Sequence, residues 1–135
     1  MPTTISVSFH VRGKSFDPHV FSEEVGLSAT KIWIKGQSVG EKSVVKGKEN
    51  EWIISIGELS TRSVENQLRK ILSRLRPYTA LIIKNSKIKK LQADFAVAVY
   101  LVGDNTPSIN LSSKIINEIA KYNAVLDIDI ICIDE

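Results

Sequence analysis

Two histidines, one cysteine and fifteen acidic residues are what this 135-residue chain offers for chemistry. His10 sits in the alternating run Ile5-Ser6-Val7-Ser8-Phe9-His10-Val11-Arg12. A strand turns successive side chains to opposite faces, so Ser6, Ser8, His10 and Arg12 share the polar side. A second run, Ala124 to Ile133, carries Asp127 and Asp129 on the same face as Ile131 and Ile133, with Leu126, Ile128, Ile130 and Cys132 on the other. If the first and last strands pair antiparallel, His10 and Arg12 approach Asp127 and Asp129. A histidine beside two carboxylates could act as a general base oriented by an acid, or as a weak metal site. The same residues equally form a solvated sheet face held by cross-strand polar pairs. No motif sets their register, so neither catalytic residues nor metal ligands are assigned. Ile131, Ile133 and Tyr100 would add apolar area to that face and make it a partner surface.

The remaining candidates are weaker. His19 follows Pro18 in a first helical turn and has no companion ligand in the sequence. Cys132 is expected on the core side of the last strand, where a buried thiol is inert. Trp33 and Trp52 flank a polar segment; they could pack together at the base of a hairpin, or Trp33 could be an exposed anchor for a partner. Lys84, Lys87, Lys89 and Lys90, with Arg69, Lys70, Arg74 and Arg76 before them, form the densest basic region, residues 69–90. Such a region could contact phosphates, but few exposed aromatics accompany it for base stacking. There is no Walker loop, no G-x-G-x-x-G, no zinc-type Cys/His spacing, no H-E-x-x-H and no G-x-S-x-G.

These residues need elements to position them. Residues 4–12 read as a half-buried antiparallel strand. Asp17-Pro18 opens a short helix, with Asp17 as N-cap and Gly26 as C-terminal cap. Lys31 to Lys35 reads as a short strand, residues 36–50 as a long hairpin loop, and Trp52 to Ile56 as another strand. Val64, Leu68, Ile71, Leu72 and Leu75 fall on one helical stripe that begins near Ser60 or Thr61 and stops at Pro77. A second helix runs from Tyr78 to Lys84. Leu91 to Val102 is apolar on both faces and suits a central strand. Ser112 caps a helix over 113–122, Asn123 takes the left-handed cap conformation, and the last strand follows.

The order β-α-β-β-α-α-β-α-β predicts an α+β fold: a two-layer sandwich, ferredoxin-like or related, with helices on one face of a mixed, mostly antiparallel sheet. Residues 1–135 are expected to form one domain. The apolar share of 43% and charged share of 24% argue for a packed core over disorder. A single cysteine precludes an intramolecular disulfide and fits a reducing compartment. Neither a leader pattern at the N-terminus nor a spanning apolar run is present, so a cytoplasmic location is expected, with no membrane partner and no cofactor. The net charge of +3 is a mild bias, with acidic residues interspersed among the lysines. It gives a nucleic-acid reading little lift, and it runs against an inhibitor of a basic nuclease, which tends to be acidic.

The segment Ser8-Phe9-His10-Val11-Arg12-Gly13, then Phe16-Asp17-Pro18, Val25-Gly26-Leu27-Ser28-Ala29-Thr30 and Lys35-Gly36, resembles the opening of an uncharacterised bacterial family, domain of unknown function 4279. Trp52, the helix end from Leu68 to Pro77 and the closing Leu126-Asp127-Ile128-Asp129-Ile130 are similar to the same pattern. The resemblance covers nearly the whole chain and brings no catalytic residues. It implies a small bacterial protein of the kind suspected of neutralising a toxin. The expected function is therefore a non-enzymatic, protein-binding domain, plausibly an immunity protein, with contacts at His10, Arg12, Trp33, Tyr100, Asp127, Asp129 and the 36–50 loop. The alternatives are a nucleic-acid-binding module using residues 69–90, or a small-molecule or metal-binding domain at the sheet face.

Overall fold

The computed structural model describes residues 2–35 and 49–133. Most of the 36–50 loop therefore lies outside the described residues. The elements are β1 (Thr4–Gly13), α1 (Pro18–Val25), β2 (Lys31–Trp33), β3 (Asn50–Ser60), α2 (Val64–Leu75), a 3-10 turn (Arg76–Tyr78), α3 (Thr79–Ile88), β4 (Gln92–Val102), α4 (Ser113–Lys121) and β5 (Ala124–Ile133).

Local chemistry accounts for the helix ends. Asp17 accepts the His19 N–H at 2.9 Å, and Gly26, at φ 84°, closes α1 by donating to the Ser22 carbonyl. Both belong to the ordinary vocabulary of capping. Ser63, not Ser60 or Thr61, caps α2 by accepting from the Asn66 N–H at 3.1 Å. The apolar stripe of α2 is buried as its spacing demands, with Val64, Leu68, Ile71, Leu72 and Leu75 fully enclosed. Ser112 caps α4 through the Ile115 N–H, and Asn123 adopts φ 52° before β5.

The five strands form one sheet in the order β2-β3-β1-β4-β5. β1 is antiparallel to both β3 and β4, β2 is antiparallel to β3, and β4 is parallel to β5. Strands β1 to β4 thus stand in the order 2-3-1-4 and form two split β-α-β units, the ferredoxin-like arrangement. Helix α4 and β5 extend it by one parallel crossover on the outside of β4. The expected pairing of first and last strands is therefore corrected. β4, not β5, closes the ferredoxin-like core against β1, and β5 is the edge strand. A four-strand reading has room for only two β-α-β units. With β2 present, β1 to β4 already fill that arrangement, and the closing strand can only add outside β4.

The helices cover one face. Ile5, Val7, Phe9 and Val11 of β1, and Phe95, Val97 and Val99 of β4, are buried beneath them. At the centre Phe9 stacks on Phe95, Tyr122 and Trp52, with ring centroids 4.8, 5.3 and 6.4 Å away. Trp52 belongs to this core, and its Nε1 donates to Ser22 Oγ at 2.8 Å. Trp33, one strand over, faces Glu51 on the opposite side of the sheet. The two tryptophans therefore do not pack together, because strand parity sends Trp52 inward with Val11 and Trp33 outward.

Candidate functional site

The face of the sheet away from the helices is open. Its rows follow from the register. Trp33, Glu51, Arg12 and Gln92 lie in one row; Lys31, Ile53, His10, Asp94 and Val125 in the next; then Ser55, Ser8, Ala96 and Asp127; then Glu58, Ser6, Ala98 and Asp129; and finally Ser60, Thr4, Tyr100 and Ile131. All six residues expected at a partner surface, His10, Arg12, Trp33, Tyr100, Asp127 and Asp129, share this face. They fall into two groups. His10 and Arg12 lie on the central strand β1 with Trp33 out on β2; Tyr100, Asp127 and Asp129 occupy the side toward β5.

β4 separates β1 from β5, so Asp127 and Asp129 stand about 10 Å from β1, two interstrand spacings. They cannot orient His10. The carboxylates that reach His10 and Arg12 come from elsewhere. Glu51 Oε1 lies 3.2 Å from His10 Nδ1, and Asp94 Oδ2 lies 3.0 Å from Arg12 Nε. Ser8 Oγ is 2.7 Å from His10 Nε2. Ionised Glu51 can only accept, which places the imidazole proton on Nδ1 and leaves Nε2 to accept from the Ser8 hydroxyl. The hydrogen bond with His10 holds the Glu51 carboxyl below its ordinary value; partial burial opposes this, and the electrostatic influence of His10 and Arg12 adds to the lowering. Lys31 Nζ sits 4.4 Å over the Trp33 ring, a cation–π contact at the sheet's outer corner.

Of the two side chains that engage His10, only one was legible in the sequence. Ser8 was visible as a neighbour of His10 on the alternating strand. Glu51 was not, because its strand was read as starting at Trp52. One residue of added length at that end supplies the acid.

The β5 side has a different character. Val125, Ile130 and Ile131 are 52%, 55% and 42% exposed. Among the described residues no strand pairs with the outer edge of β5. Cys132 is exposed, not buried as its position on the helix side suggested. Leu126 and Ile128 pack against the core, but α4 does not cover the strand's far end, so Ile130 and Cys132 are left open.

The basic region is dispersed and partly neutralised. Arg76 makes a two-pronged ion pair with Glu118 at 2.9 and 3.1 Å, Lys89 reaches Glu24 at 3.2 Å, and Arg69 lies 3.7 Å from Glu65. His19 is exposed on α1 and is engaged through its backbone N–H by Asp17. Among the described residues no cluster of three or more His, Cys, Asp and Glu is placed to hold a metal ion, and no helix is long and apolar enough to cross a membrane.

No curated protein and no solved structure shows significant similarity to the chain. The family model described as Domain of unknown function (DUF4279) matches residues 3–133. Capped α1, the Trp52 strand and the closing β5 all lie within that match, and the chain belongs to this family.

Proposed function

We propose that the protein is a protein-binding domain that takes its partner along β5. What carries the reading is the edge itself. β5 runs for ten residues, exposes three large aliphatic side chains, and has no neighbour on its outer side among the described residues. An edge of this kind offers unpaired backbone groups to an incoming strand. Natural edges are usually blunted by lysine, proline or a bulge, and β5 has none of these.

The occupant is an extended segment of another protein with basic residues at alternate positions. Although the chain is +3 overall, the only charges on β5 are Asp127 and Asp129, both on the open face. A Lys or Arg opposite each would form a cross-strand pair, whereas a like charge would repel. That argues against a second copy of this chain. An antiparallel two-fold centred on Asp127, Ile128 or Asp129 sets carboxylates directly opposite one another. Neutralisation of a bacterial toxin by covering its surface is the finer form of this proposal, and the family resemblance is its support.

The test is binding of a synthetic ten-residue peptide alternating Lys and Val, measured by fluorescence anisotropy at low salt. Affinity is expected to fall with salt and to be lost in the D127K/D129K double variant, which should instead bind the matching Glu/Val peptide. Equal binding of both peptides by the wild type would sink the charge argument. A wild type that binds neither peptide and sediments as a dimer would replace the foreign strand with a second copy.

A further inference from the structure

We infer that Ser8, His10 and Glu51 form a nucleophilic centre for acyl transfer, with Ser8 as nucleophile, His10 as general base and Glu51 as the positioning residue. This goes beyond a purely binding role and rests on the central strand β1 and its neighbour β3, which β4 separates from β5, so it stands or falls independently of the docking edge.

Hydroxyl, imidazole and carboxylate are joined in series, at 2.7 Å from Ser8 Oγ to His10 Nε2 and 3.2 Å from His10 Nδ1 to Glu51 Oε1. A nucleophilic serine needs that order: the acid selects the tautomer, and the free ring nitrogen takes the hydroxyl proton. The three residues lie in successive rows of two paired strands, Glu51 sitting across from Arg12, and strands hold them more rigidly than a loop would.

A hydroxyl donor also stands beside the nucleophile, where charge would develop. Ser55 lies directly across from Ser8. Just beyond this pair the ladder slips, and neither Ile56 nor Gly57 has a partner on β1. Bulges recur beside active sites because they re-aim groups out of the ladder. Here Gly57, at φ 81°, turns its N–H onto Ser55 Oγ at 3.2 Å. Ser55 Oγ thus accepts from the backbone, and its own proton has no acceptor among the described residues. It is the hydroxyl placed to donate to an oxyanion formed at Ser8. On the other side of Ser8, Ala96 provides a small apolar floor for an acyl group. The substrate class is an ester of a short carboxylic acid, whose small acyl group Ala96 leaves uncrowded.

In the first step Ser8 Oγ bonds to the ester carbonyl carbon and its proton passes to His10 Nε2. The bond from that carbon to the alcohol oxygen then breaks, and the alcohol leaves with the proton from His10. Water, giving a proton to His10, attacks the acyl-serine and releases the acid. The proton returns to Ser8, and no other reactant is needed. The charged groups facing His10 are Glu51 on β3, Asp94 on β4, Arg12 on β1 and, beyond Ile53, Lys31 on β2.

The experiment uses p-nitrophenyl acetate and a fluorophosphonate probe on the full chain, with peptide mapping of the adduct. One adduct per chain on Ser8 is expected, together with p-nitrophenolate release. S8A should abolish the adduct. H10A should slow it about 100-fold or more, the scale of a lost general base, and S55A by about 100-fold as well, as for a lost oxyanion donor. E51Q should slow it and move the pH profile, while E51D restores part of the rate; a merely structural carboxylate would do neither. Thermal unfolding of each variant confirms that it is folded. Absence of an adduct in the wild type overturns the inference, as does an adduct that persists at the same rate in folded S8A or H10A.

Discussion

His10 Nδ1 and Glu51 Oε1 meet at 3.2 Å across the β1–β3 ladder, although 41 positions separate them in the chain. The pair couples the open face to pH. Glu51 titrates below its ordinary value in the folded state, chiefly through the His10 hydrogen bond. A carboxylate lowered on folding contributes stability that is present above its unfolded value and lost as pH falls through the folded one. Urea unfolding of wild type and E51Q should therefore differ at neutral pH by about 1 kcal/mol or less, since the pair is partly solvated. The difference should shrink under acid. A gap that stays constant from neutral pH into the acid limb would contradict this account.

The Trp52 indole is buried, and its hydrogen bond to Ser22 crosses from β3 to α1. S22A leaves that N–H unpaired in the core, which costs about 1–3 kcal/mol. Chemical unfolding followed by tryptophan fluorescence measures it. A loss indistinguishable from zero would mean that another acceptor replaces the serine.

Gly57 has open space where a Cβ would sit, yet its φ is 81°. G57A should therefore lose about 1 kcal/mol from backbone strain alone. The cost should appear without any change in packing around Phe9. A neutral G57A would show that the bulge relaxes out of the left-handed region.

Ile130 and Ile131 face solvent at the edge. I130K and I131K should leave stability within about 0.5 kcal/mol of wild type, as for other exposed sites, while weakening strand addition to β5. If either variant unfolds the protein, the β5 edge is covered in solution.

Cys132 is exposed in the native fold. The folded protein should react with Ellman's reagent at a rate close to that of the denatured chain. Slow reaction, released only by denaturant, would restore the buried position expected from strand parity.

Several of these features were legible before any coordinates. The caps Asp17, Gly26, Ser112 and Asn123 depend on the conformational preferences of single residues and their immediate neighbours. The α2 stripe and the alternation of β1 depend on spacing along one element. Each such signal is local, and each survived folding. The shared face of His10, Arg12, Trp33, Tyr100, Asp127 and Asp129 followed from the same parity rule, applied strand by strand.

What the chain could not announce was which strands are neighbours. Parity tells a residue its face but not the residue across from it, because pairing depends on how five strands and four helices bury one common core. Tertiary structure alone set β4 between β1 and β5, and so took Asp127 and Asp129 away from His10 and put Glu51 in their place. It also left β5 as an edge with its far end beyond the reach of α4, which is why Cys132 and Ile130 meet water despite lying on the helix side. By itself the sequence determined an α+β chain with a polar sheet face; only the packing of the sheet decided that this face joins Ser8, His10 and Glu51 by hydrogen bonds on its central strands and carries an acidic, apolar edge at β5.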